Sequence, residues 1–447
     1  MGSQVLLDSR ATAPVTVCIK LFIMSHQKPF RFGLVLMISA VSLLCLAGQQ
    51  SPSTNYDESK VGTYTLPDPL VFNDGKRVRT AADWTKRRRT EVFELFATNV
   101  YGHNPAPPKN LRYEVFDTDQ NGLGGKAIRK QITIYFSDKN DGPKEELLLF
   151  IPKNSRKPVP VFLLLSFNGN QTAARDPAIK LTPSWSRTGE KQQPAEDSRG
   201  RAQTDTERIV SRGYAFATIN YADIEPDFKG GYVSGIRPLF FKPGQTASLE
   251  SEWGAIGAWA YGLSRALDYL EKDKDVNAKR VAIVGHSRLG KTALWAGAID
   301  PRFAMVISSC SGEGGASLSR RDYGERIRNL VTNFPYWFTS TYQKYADNEN
   351  ALPIDMHELI SLTAPRPVYV TAGETDRWAD PRGEFLACVA AGPVYKLLGG
   401  EDLGTEDMPA LDQPIMKSLA FHIHTGGHAI TAFDWEQFLK FADMKMK

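Results

Sequence analysis

The residues with the clearest chemical potential lie in VGHSRLGKTA, residues 284–293. Ser287 has Gly285 two places before it, but the next glycine, Gly290, comes one place later than the pattern G-x-S-x-G requires. The serine closes an apolar run, RVAIVGHS, and precedes a helical pattern, KTALWAGAID. A sharp strand-to-helix turn lifts a serine hydroxyl above the end of a sheet. There it meets the free N–H groups of a helix N-terminus, which can stabilise an oxyanion. The chemistry this suits is nucleophilic acyl transfer. A serine that merely caps a helix is the other reading of the same local pattern.

A serine nucleophile needs a neutral histidine to take its proton and a carboxylate to hold that histidine's tautomer. In the α/β-hydrolase layout these follow in the order Ser, acid, His. His422, His424 and His428 lie downstream of Ser287. His428 ends HTGGH, a glycine-rich loop between a strand and the last helix, and is the expected base. His422 and His424 fall inside the strand and are expected to be structural. Asp376 follows the strand RPVYVTA directly and is the expected acid; Glu374 and Asp380 are less well placed.

The elements that must position these residues alternate between strands and helices. The continuous apolar runs at 158–170, 213–223, 280–287, 304–315 and 366–376 read as strands buried on both faces, hence a parallel sheet. Ile256, Trp259, Ala260, Leu263, Leu267 and Leu270 recur at helical spacing between the second and third runs. The expected fold is α/β: an α/β-hydrolase three-layer sandwich with a mostly parallel central sheet. The polar stretch 171–208 reads as a surface insertion. The basic run Lys86–Arg89 reads as a solvated helix face. DTDQNG, residues 117–122, begins like a calcium loop, but Ile128 stands where the twelfth-position glutamate belongs, so a hairpin turn is expected.

The chain has 447 residues, 42% hydrophobic and 23% charged, with a formal charge of +4. So balanced a charge argues against nucleic-acid binding. Residues 34–47, LVLMISAVSLLCLA, follow Lys28 and Arg31 and precede Gly48, the pattern of a secretory signal peptide. Residues 1–47 are therefore expected to be leader and signal peptide, with Met24 a possible true start. An uncleaved anchor is the alternative. A linker at 48–65 and a single catalytic domain at 66–447 would follow. Of the four cysteines only Cys310 and Cys388 lie beyond the leader, which is no disulfide framework, and no zinc-ligand spacing is present. No metal or cofactor is expected. Nor is a membrane partner after leader removal. A monomer, secreted or periplasmic, is expected.

GHSRLGKTALWAGAIDPRFA, SGEGGASLSRRDYGE, NFPYWF, APRPVYV, DRWADPRGEF and GGHAITAFDWEQFL appear in this order from residue 285 onward. In this respect the chain, from about residue 66 to its end, resembles the glucuronoyl esterases of carbohydrate esterase family 15. The resemblance implies cleavage of the ester between 4-O-methyl-glucuronic acid on glucuronoxylan and a lignin alcohol. It implies that Ser287 is the nucleophile and His428 the base, with Arg288 helping to hold the oxyanion. Lys291 and Glu325 would contact sugar hydroxyls, and Trp378 would line the sugar pocket. Many members carry the catalytic glutamate on the strand after the elbow helix, where this chain has Cys310. The expected acid is Asp376, with Glu313 as runner-up. An acetyl or feruloyl xylan esterase, or a non-catalytic carbohydrate-binding relative, are the competing readings.

Overall fold

A computed structural model describes residues 54–447 apart from 157, 203, 250 and 251. The leader expected at 1–47 lies outside the described residues. The strands are β1 (Arg112–Gly122), β2 (Ala127–Tyr135), β3 (Lys144–Pro152), β4 (Val159–Ser166), β5 (Ser184–Trp185), β6 (Lys191–Gln192), β7 (Ala215–Asn220), β8 (Val276–His286), β9 (Met305–Ser309), β10 (Val368–Gly373), β11 (Ile415–Met416) and β12 (Leu419–His424). Ten of them form one sheet in the order β1-β2-β3-β7-β4-β8-β9-β10-β12-β11, and β5 and β6 form a separate ribbon. The stretch from β7 through β12 is parallel, and the edges are antiparallel.

The apolar runs form central strands because both faces of the sheet are covered. On one face pack Trp259 of helix Ala255–Leu270 and Trp295 of helix Arg288–Ile299, both fully buried. On the other pack Trp435, Phe438 and Phe441 of helix Ala432–Met446. This is the three-layer α/β-hydrolase architecture. Among the described residues no helix is long and apolar enough to cross a membrane.

Four local expectations need revision. Asp117–Gly122 is the end of β1 rather than the hairpin turn itself, and Arg129 on β2 donates to Asp117 at 3.0 Å. The basic run is only half solvated: Arg88 is buried and donates to buried Glu358 at 2.9 Å. Arg89 donates to the carbonyls of Leu362 and Ala298 at 3.1 and 2.7 Å. These contacts come from distant chain segments, which a local charge pattern does not register. Residues 54–58 are docked rather than free linker. Asn55 Nδ2 donates to Asp322 O at 2.6 Å, and Gly324 N donates to Asn55 O at 2.9 Å. The stretch 171–208 is more than surface, since Gln171 and Thr172 are buried and Trp185 and Arg201 wall the cleft beside Ser287.

The segment after β7 carries site residues and is anchored by a buried ion pair. Arg237 donates to both carboxylate oxygens of Glu225 at 2.7 and 2.6 Å, and Trp259 Nε1 donates to Glu225 O at 2.8 Å. Removing one partner leaves the other charge buried and uncompensated. Arg237→Ala should therefore destabilise the protein by about 3–5 kcal/mol, read as a fall in denaturation midpoint.

Candidate active site

β8 ends at His286 and the elbow helix starts at Arg288, so Ser287 makes the whole turn. Its φ of 56° and ψ of −131° are costly for a residue with a Cβ, on the order of 1–3 kcal/mol. The neighbours over-determine it. Ser287 N donates to Ser309 O at 2.8 Å on β9, and Gly290 N donates to Ser287 O at 2.8 Å. A methyl group on Gly285 would stand 1.9 Å from Leu289 O, so glycine is required there for the turn to close. Gly290, the glycine that seemed late, serves packing instead. A methyl there would meet Ser311 Cβ at 2.9 Å, so its absence lets the helix sit against the loop after β9.

His428 reaches the same cleft from the loop after β12. Its Nδ1 lies 2.6 Å from Asp376 Oδ2, at the end of β10. The histidine side chain is half exposed and Asp376 is buried, so the carboxylate is shielded while the ring faces the cleft. Glu313 is elsewhere. Its Oε1 accepts from Ser319 Oγ and Tyr342 OH, both at 2.6 Å, and from Gly314 N at 3.0 Å. Burial pushes its pKa up to about 8, so it is largely protonated at neutral pH and poorly suited to balance an imidazolium. Cys310 is buried at the end of β9, with Sγ, the Asp376 carboxylate and a His428 ring nitrogen all within 4.8 Å of one another. The end of β9 thus also points at the histidine, but carries a thiol whose pKa burial raises well above the ordinary range.

Arg288 projects into a cleft of about 690 Å³ with Ser287, His286, His428, Phe167 and Asp227 in its lining. Its guanidinium lies 4.5 Å from the Phe167 ring centre and 5.7 Å from that of Trp337. Arg288 Nε pairs with Asp227 Oδ2 at 2.7 Å. Asp227 in turn accepts from Trp337 Nε1 at 2.6 Å and Tyr336 OH at 2.9 Å. The arginine is thereby fixed next to Ser287, and a fixed fork of donors would suit an anion forming there. In the 168–170 loop Asn168 lines the cleft, whereas the Asn170 amide turns away to donate to Glu146 O at 2.7 Å.

Lys291, Glu325 and Trp378 form a chain of contacts but are not among the residues that line this cleft. Lys291 is buried, with Nζ donating to Ser311 O, Glu313 O and Glu325 Oε2 at 2.6, 2.5 and 3.1 Å. Trp378 Nε1 donates to Glu325 Oε1 at 3.1 Å and the residue is 38% exposed. Lys291 therefore spends its three donors inside the protein, and the accessible part of this group is the tryptophan.

Several residues that shape the site escaped sequence reasoning. Asp227 sits in PDFKGG with no motif around it. Glu384 is buried and accepts from Ser311 N at 2.7 Å and Gly312 N at 2.9 Å, holding the loop that Lys291 also grips. His286, between Gly285 and Ser287, has its ring centre 4.5 Å from that of His428. Burial, then the neighbouring His428, lowers its pKa to about 3, so it adds no charge beside His428. A further group, His422, His424 and Asp434, has metal-like proximity, but its ring nitrogens face protein partners: Tyr369 OH, Asp434 and Gly427 O.

The fold and the strand–turn–helix at Ser287 define a protein of the α/β-hydrolase class. A family model described as fungal glucuronyl esterase matches residues 242–399. Carbohydrate esterase MZ0003, from an unknown prokaryotic organism, is 47% identical over 402 residues, 88% of this chain and 92% of its own length. A solved glucuronoyl esterase from Solibacter usitatus is 52% identical with a TM-score of 0.85, over 88% of this chain and 100% of the other. A family 15 esterase from a marine bacterial metagenome, described as promiscuous, is 46% identical with a TM-score of 0.81, over 88% of this chain and all (100%) of its own. The chain belongs to the glucuronoyl esterases of carbohydrate esterase family 15.

Asp376→Asn should lower kcat by about 10³-fold, whereas Glu313→Gln should cost less than about tenfold. A large loss confined to the glutamine variant would reverse the assignment of the acid. Asp227→Asn should leave the circular dichroism spectrum intact while lowering kcat by about 10–10²-fold through misplacement of Arg288.

Proposed function

We propose that this enzyme hydrolyses the ester between (4-O-methyl-)D-glucuronic acid of glucuronoxylan and a lignin alcohol, outside the cytoplasm. The observation that carries this reading is the convergence of Ser287, His428–Asp376 and Arg288 on one cleft, in a chain of this family. His428 Nε2 takes the proton of Ser287 Oγ as the oxygen attacks the uronate carbonyl carbon. Asp376 holds Nδ1–H and balances the imidazolium. The oxyanion that forms is met by the Arg288 guanidinium, by its backbone N–H at the helix N-terminus, and by a backbone donor in the 168–170 loop. Collapse expels the alcohol, which leaves with the proton from His428. A water molecule, deprotonated by the same histidine, then attacks the acyl-enzyme, releasing glucuronate and restoring the serine.

Trp378 is proposed as the platform for the sugar ring, and Glu325 as an acceptor for its hydroxyls. Lys291 sets Glu325 in place, and a hydroxyl that reaches Nζ takes the place of one of its present acceptors. The reaction needs no group beyond these side chains and water.

Hydrolysis of benzyl glucuronate by the purified chain tests the reading. Ser287→Ala should abolish turnover, and Arg288→Ala should lower kcat by about 10²–10³-fold. Faster release of acetate from acetylated xylan than of benzyl alcohol would favour an acetyl esterase instead. Sugar binding without any hydrolysis would make the chain a binding protein.

A further inference from the structure

The loop that presents His428 leaves β12 at His424 and reaches the closing helix at Ala432. Gly427 O, one peptide before the base, accepts from Ala429 N at 2.9 Å and faces His424 Nε2 at 3.1 Å. The other nitrogen of that ring, Nδ1, lies 3.0 Å from Asp434 Oδ1, an ion-pair contact. Asp434 is the third residue of the closing helix. Its Oδ2 accepts from Thr431 N and Thr431 Oγ1 at 2.5 and 2.7 Å, and its Oδ1 also faces His422 Nε2 at 2.6 Å. One carboxylate thus ties the helix start to both histidines beneath the catalytic loop.

The protonation state follows from the acceptors. A carbonyl oxygen only accepts, so the 3.1 Å contact needs a hydrogen on His424 Nε2. A carboxylate also only accepts, so a bare Nδ1 would set a lone pair 3.0 Å from Asp434 Oδ1, and a hydrogen there removes that repulsion. Either neutral tautomer turns a lone pair toward an oxygen at one end of the ring. Only the imidazolium turns no lone pair toward an oxygen: its Nε2–H serves Gly427 O, and its charge faces Asp434 as an ion pair rather than through an aligned hydrogen bond. His422 differs, because Tyr369 OH can donate to its Nδ1 at 2.8 Å while its Nε2–H serves Asp434, so it is satisfied as a neutral ring.

We propose that His424 is a positioning residue for the reaction: a buried imidazolium that clamps the loop carrying His428. This rests on the reading of His428 as the base. The clamp acts beside the acid as well. Glu374 N donates to His424 O at 3.0 Å and Thr375 N to Gly426 O at 2.9 Å, so the loops bearing Asp376 and His428 are laced together where the ring sits. Loss of the His424 proton breaks one end of the clamp and frees the Gly427 peptide. A misplacement of His428 by about 1 Å at that point is enough to lower turnover by about 10²-fold.

The charged and titratable groups around the ring support this. Asp434 from the closing helix and Asp412 from the loop before β11 favour the cation, while neutral His422 on the same strand faces the same carboxylate. His286 at the end of β8 is held neutral by burial, and Tyr369 of β10 faces His422. Burial alone would lower the pKa of His424; the contact with Asp434, its charge and the Gly427 carbonyl more than offset this and raise it above the ordinary value. A group whose folded pKa is raised holds its contacts below that pKa and loses them as the pH rises through it. The clamp therefore fails on the alkaline side.

Imidazole ¹H–¹⁵N correlation spectra of the histidine-labelled wild-type enzyme test the charge directly. His424 should be doubly protonated at pH 6.5 and titrate above it; a neutral ring at that pH overturns the proposal. The pH profile of kcat/KM on benzyl glucuronate tests the role. The wild type should lose activity on the alkaline side with the midpoint of the His424 titration. His424→Gln should lower kcat by about tenfold or more with KM little changed, and should lack that alkaline limb. If His424→Gln loses activity but keeps the wild-type alkaline limb, the residue is merely structural and the proposal fails. His428→Ala separates the two readings. Turnover surviving that change sinks the role of the base, whereas the charge state of His424 is read independently of it.

Discussion

The active site depends on a close approach of two backbones. β10 and β12 lie side by side, and the loops that leave their ends carry Asp376 and His428. A Cβ on Gly373 would stand 2.2 Å from Gly427 O, so the approach exists only because that position has no side chain. From it follows the 2.6 Å contact between Asp376 and His428. The parallel sheet supplies the register, and the glycine converts neighbouring strand ends into touching loops. Ser287 is delivered from the other side by a turn with its own glycine requirement at Gly285.

Around this contact the protein keeps its charges in pairs that are fixed from several directions. Arg288 is held by Asp227, which is held by Trp337 and Tyr336. The segment carrying Asp227 is anchored by Glu225 and Arg237. Such chains are costly to bury, since each ion gives up its hydration. What they contribute is geometry: an arginine already fixed beside Ser287 has little side-chain freedom left to lose.

Much of this was legible in the sequence because it is written locally. Continuous apolar runs, the strand-to-helix switch at Ser287 and the glycine-rich loop before the last helix each reflect neighbours in the chain. What was not legible depends on distant segments. Nothing near Asp227 indicates that residues 336 and 337 will meet it, and Arg88 looked solvated until Glu358 came to it from elsewhere in the fold. His424 read as a strand residue, which it is, yet its partner Asp434 is ten positions further along, past a loop whose shape no spacing rule describes. The surroundings of Lys291 were hidden for the same reason, since its acceptors are main-chain carbonyls, which carry no residue-type signal.

Cys310 has a consequence of a different kind. Both thiols among the described residues, Cys310 and Cys388, are buried, and burial raises the pKa of each. The thiolate is the species that reacts with peroxides and disulfides, and here it is scarcely populated. A thiol this close to a histidine would ordinarily be a candidate for oxidation. Kept protonated and buried, this sulfur is a poor target for such oxidants.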